Sequence, residues 1–162
     1  MFSFLLLASL TLYRAVTVDP AGQLHITTED GRTITPLKKS WQSGFADPKI
    51  SPDKQTVGWL VESYVEAIDP QTGKHTRVDS QPIANPLILF RKGRIIQTFT
   101  ADVIFWDWTF QQNGQQVAYC SGPTHGGASE CLLRDTKTGR ILQKWQVSQD
   151  TEPPAWAANL RF

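Results

Sequence analysis

The chain has little of the residue types on which recognisable chemistry is usually built. It holds two cysteines and three histidines in 162 residues, with no Cys-x-x-Cys or His-x-x-x-His spacing, so the ordinary zinc sites are excluded and no metal is expected. Phosphate-cradling glycine loops, dinucleotide fingerprints and calcium loops are missing, which removes the common nucleotide-dependent classes and leaves no cofactor expected. A Gly-x-Ser-x-Gly nucleophile turn is missing too, so the esterases built on it are excluded. Neither charge is in excess, with 16 Lys and Arg against 15 Asp and Glu. The densest basic stretch is Arg91-Lys92-Gly93-Arg94, and nucleic acid is not expected as a partner.

Long apolar runs are also scarce. Met1 to Leu12 is apolar for too few residues to cross a bilayer, which takes roughly 20, and no membrane span is expected in the mature chain. The run has the length of a signal-peptide core, so residues 1–15 are read as a signal peptide cut after Ala15, and 16–162 as one all-β domain that is secreted or periplasmic. No Lys or Arg precedes the run, and Tyr13 stands where a small residue is preferred before the cut. The alternative is a buried first strand or a packed N-terminal arm.

What is present suits many short strands. The chain is 40% hydrophobic and 19% charged, enough to bury a core. Its ten prolines and eleven glycines punctuate runs rich in Val, Ile, Thr, Phe, Tyr and Trp. In Val57-Gly58-Trp59-Leu60-Val61 both alternate sets are apolar, which predicts a strand buried on both faces of a stacked sheet. Leu24, Ile26 and Thr28 alternate with His25 and Thr27, as in a half-exposed outer strand.

Cys120 ends one apolar run and Cys131 begins another, so an antiparallel hairpin would bring them together as a disulfide, the kind of bond that persists in oxidising compartments. Free buried thiols, or a metal held by Cys120, His125 and Cys131, are the competing readings.

The chain also repeats itself. Ile50 to Trp59 aligns with Phe110 to Tyr119 at an offset of 60, and Asp69-Pro70-Gln71-Thr72-Gly73-Lys74 aligns with Asp135-Thr136-Lys137-Thr138-Gly139-Arg140 at 66. Ile26 to Ile34 aligns with Ile88 to Ile96 at 62, each a hairpin turned by Gly. Repeat 1 is placed at about 22–84, repeat 2 at about 86–147 and a tail at 148–162. Each copy reads as a hairpin, an aromatic-rich link (Trp41 to Phe45, then Phe105 to Trp108) and a run of four strands, about twelve strands in all.

Ser51-Pro52-Asp53 with Thr56-Val57-Gly58-Trp59, then Ile68 to Lys74, resembles the blade signature of TolB-like β-propellers. Leu133 to Leu142 is similar to TolB-like and WD-repeat blades. The resemblance implies stacked antiparallel sheets of propeller-blade type and says almost nothing about activity; a β-sandwich is the alternative fold. Twelve strands make three sheets of four, too few for the four to eight blades of a closed ring. An open stack exposes apolar faces, so a homodimer or an unusual cap, formed by the Trp156 tail, is expected.

Two segments are candidate sites. The loop Ser121 to Glu130 is an insertion in the second copy, and His125 within it is a candidate acid, base or ligand. In Phe105-Trp106-Asp107-Trp108, Trp106 and Trp108 beside a carboxylate are candidate binding residues, although bulky residues filling strand faces explain the same pattern. The expected function is an extracytoplasmic binding or scaffold module for a protein or peptide, with no specific activity readable from the residues. The alternatives are a secreted or periplasmic hydrolase or lyase using His125 with Asp107 or Glu130, and a remnant domain of a longer propeller protein.

Overall fold

A computed structural model describes residues 10–78, 81–123, 128–148 and 150–161. Strands β1 (Tyr13–Val18), β2 (Leu24–Thr28) and β3 (Thr33–Ile34) form a first sheet in that order. The middle sheet has the order β4 (Gln42–Ile50), β5 (Thr56–Ser63), β8 (Ile83–Arg91), β9 (Arg94–Phe99). Between β5 and β8 the chain makes a separate hairpin, β6 (Glu66–Ile68) with β7 (His75–Arg77). The last sheet is a meander of β10 (Ile104–Gln111), β11 (Gln116–Gly122), β12 (Glu130–Asp135) and β13 (Ile141–Gln146). All pairings are antiparallel.

The sheets stack because their strands are apolar on the faces that meet. Tyr13, Leu24 and Ile26 of the first sheet pack on Phe45, Val57, Trp59, Val61, Ile88 and Phe90 of the middle one. The opposite face of the middle sheet offers Leu60, Leu87, Leu89 and Phe99 to Phe105, Trp108, Val117, Tyr119 and Leu132 of the last. The two-faced burial expected of Val57 to Val61 is therefore found, as is the alternation in β2, where Leu24, Ile26 and Thr28 are buried and His25 and Thr27 are not.

The far face of the last sheet is covered by the chain's own tail. Ala157 and Leu160 are buried against Ala118, Cys120, Cys131 and Leu133, with Trp156 packed alongside. The apolar face for which self-association was the other expected remedy is thus capped from within.

The described residues hold thirteen strands, in keeping with the roughly twelve expected, but the four strands of the middle sheet are not consecutive. The pairing places β8 and β9, assigned from sequence to the second copy, beside β5 of the first. The reason is the burial each strand requires. Leu87 and Leu89 point to one core while Ile88 and Phe90 point to the other, so β8 must sit inside a sheet covered on both sides. Strands β6 and β7 carry only exposed residues and cannot line a core.

The local turns follow the repeat closely. Lys54 and Gly114, which the alignment places at the same position, both have left-handed backbones, with φ of 58° and 88°. Asp69 and Asp135 both accept from the backbone N–H groups two and three residues on, and each backbone carbonyl accepts from the turn glycine. Yet one of these turns joins β6 to β7 and the other joins β12 to β13.

The expected boundary after Ala15 divides β1. Tyr13 is fully buried, its N–H donates to the Lys54 carbonyl at 2.8 Å, and its hydroxyl accepts from the Gly93 N–H at 3.3 Å. Tyr13 to Ala15 thus open the first strand, with Tyr13 buried, Arg14 exposed and Ala15 partly buried. Residues 1–9 of the expected signal peptide lie outside the described residues. No helix among the described residues is long and apolar enough to cross a membrane.

Candidate functional site

Strand β10 holds the four aromatic and acidic residues singled out above, and a bulge between Phe105 and Asp107 separates their roles. Phe105 and Trp108 turn into the core between the middle and last sheets. Trp108 is fully buried and its Nε1 donates to the Asp47 carbonyl at 3.1 Å, so the expectation that it binds a ligand is corrected: it fills the core. Trp106, at the bulge, remains 37% exposed.

Asp107 meets a set of partners brought from distant segments. A bulge in β4 around Asp47 and Pro48 re-aims that strand, and Lys49 lies 3.2 Å from Asp107 Oδ1 and 2.9 Å from Asp47 Oδ2. The same Nζ also donates to the Trp108 carbonyl and sits 4.8 Å from the centre of the Trp108 ring. Asp107 Oδ1 accepts from the Trp108 N–H at 2.8 Å, and Oδ2 accepts from the Arg161 N–H of the tail at 3.2 Å. Burial opposes ionisation of Asp107. The Arg161 and Trp108 N–H groups and the Lys49 charge outweigh it and hold the carboxyl below its usual range.

These groups border a cleft of about 680 Å³ lined by Asp47, Leu60, Ala84, Phe105, Trp106, Asp107 and Arg161. It combines an apolar wall with a few polar groups of both signs, the composition expected of a recognition site. Asp47 and Arg161 were not anticipated from the sequence. Pro48 inside a strand was the one available signal for the β4 bulge, and nothing local marks Arg161.

Glu130 is elsewhere. It pairs in register with Ser121, forms an ion pair with Lys144, and lines a separate cleft of about 480 Å³ with Asp102, Tyr119 and Arg134. Burial pushes the Tyr119 hydroxyl up, with the Arg134 charge and its hydrogen bond working against it. Asp107 and Glu130 therefore border different clefts. His125 lies outside the described residues.

Cys120 and Cys131 are direct partners across β11 and β12, with Cα atoms 4.0 Å apart, and they form a disulfide at the neck of the inserted loop. The bond consumes the two thiolates that the alternative metal set requires. Among the described residues no three His, Cys, Asp or Glu side chains gather as a metal site.

Fold and clefts together define an all-β protein of stacked antiparallel sheets, capped at one end by its tail and closed by an internal disulfide. No family model matches the chain, and no curated protein matches it in sequence.

Proposed function

We propose that the chain is an extracytoplasmic binding module that takes an extended peptide or protein segment in the Trp106 cleft, on a stack of blade-like sheets related to those of TolB-like propellers. The observation that carries this reading is Trp106 itself. A large aromatic left 37% exposed by a bulge, beside Asp107 and Arg161 in a cleft of mixed polarity, suits an anchor for a side chain and its backbone. The internal disulfide supports the compartment.

The test is to pan a random peptide library on the oxidised protein. Enriched peptides are expected to be recovered uncleaved and to lose at least about tenfold in affinity with Trp106→Ala, the size of effect expected of an aromatic anchor. Failure to enrich, or enrichment indifferent to W106A, overturns the reading.

A further inference from the structure

The turn between β12 and β13, in the last sheet, reaches the β8–β9 hairpin of the middle sheet. Gln97 of β9 donates from Nε2 to the Lys137 carbonyl at 3.0 Å. Beside this contact lies a cleft of about 550 Å³ lined by Arg91, Lys92, Arg94, Ile95, Ile96 and Lys137. Four of its six lining residues are cations and none is an acid.

None of the four forms an ion pair with another described residue. Arg91 donates to the neutral side chain of Gln55. Asp135, the acid of the β12–β13 turn, has its Oδ1 occupied by the Lys137 N–H at 3.0 Å, the Thr138 N–H at 2.7 Å and the Thr138 hydroxyl at 2.8 Å. The backbone makes the crowding unavoidable. Arg91 and Arg94 are direct cross-strand partners, joined by a two-residue turn in which Lys92 and Gly93 both have positive φ. Like charges directly opposite each other destabilise a hairpin, and a third and a fourth cation stand beside this pair. A bound polyanion would reverse that repulsion.

We infer that this cleft binds a small ligand carrying two or more phosphate or sulfate groups, held between Arg91, Lys92 and Arg94 on the middle sheet and Lys137 on the last. Guanidinium groups match tetrahedral oxyanions by paired N–H donation, and lysines add point charge. Ile95, 57% exposed, and Ile96 supply an apolar ledge for the carbon frame joining the charged groups. The cleft shares no lining residue with the Trp106 cleft, so it stands independently of the peptide-binding reading.

Calorimetric titration of the oxidised full chain with tripolyphosphate and with a trisulfated disaccharide tests the site, with inorganic phosphate as the single-group reference. At least one of the two probes is expected to bind saturably and more tightly than inorganic phosphate, with affinity that falls as salt rises. Arg94→Gln with Lys137→Gln should weaken that probe at least about tenfold, as loss of two charge-assisted contacts implies. Lys92→Gln alone should weaken it less, and Lys74→Gln, at an exposed lysine of the β6–β7 turn, should leave it unchanged. The tighter probe identifies the anionic group. No saturable binding of either probe, or equal weakening by K74Q and by R94Q/K137Q, overturns the assignment.

Discussion

Trp108 is seated against Gly58 across the gap between the middle and last sheets. A methyl group placed on Gly58 would lie 2.5 Å from Cη2 of the indole and 3.0 Å from Leu89 Cδ2. The absence of a side chain at one position in β5 thus makes room for the buried indole of β10. Gly58→Ala should overpack this core and cost about 1 to 3 kcal/mol in urea unfolding. Combination with Trp108→Phe should recover part of the loss, and purely additive effects would contradict the contact.

The two Asp-x-x-Thr-Gly turns should respond differently to the same substitution. Asp135→Ala removes the hydrogen bonds that shape the β12–β13 turn, within a sheet packed on two cores, and should lower global stability by about 1 kcal/mol. Asp69→Ala acts on a hairpin whose strands are exposed throughout, so the unfolding midpoint should not move. Hydrogen exchange in β6 and β7 should nevertheless quicken, because local opening is uncoupled from the cores.

Cys120 and Cys131 are both fully buried, so alkylation should require denaturation together with reductant. The reduced chain should then gain the mass of two hydrogen atoms. Cys120→Ala with Cys131→Ala should cost about 2 to 3 kcal/mol, chiefly by freeing the loop in the unfolded chain. Free thiols in exported material would refute the pairing.

Asp107 makes stability depend on pH in a definite direction. Its folded-state pKa is depressed, so its contribution is complete above the unfolded value of about 4 and is lost as pH falls through the folded one. Asp107→Asn should be less stable than wild type by about 1 to 3 kcal/mol at neutral pH. That gap should narrow below about pH 4. Urea melts of both proteins across this range supply the measurement, and a gap that stays constant to pH 2 would count against the charged interaction. Because Arg161 donates to the same carboxylate, the variant should also show faster exchange in the tail amides.

Much of the site was visible in one dimension, but only half of each contact. Trp106 and Asp107 stand out in Phe105 to Trp108 as aromatics flanking an acid. What distinguishes exposed Trp106 from buried Trp108 is a bulge, which alternation cannot reveal because it breaks the period. The partners of Asp107 come from Lys49, 58 residues before it, and Arg161, 54 residues after. The cationic cleft shows the same division: Arg91 to Arg94 are contiguous, whereas Lys137 reaches them only through sheet stacking.

The strand class, the turns, the two-faced burial of Val57 to Val61 and the pairing of Cys120 with Cys131 were legible in the residues alone. These rest on side-chain alternation and on backbone preferences spanning a few residues. Which strands share a sheet and which residues meet in the clefts emerged only in the folded chain. Those outcomes depend on matching apolar faces between distant segments, and the strand with two apolar faces, β8, took the interior place that the sequence repeat had assigned to β6.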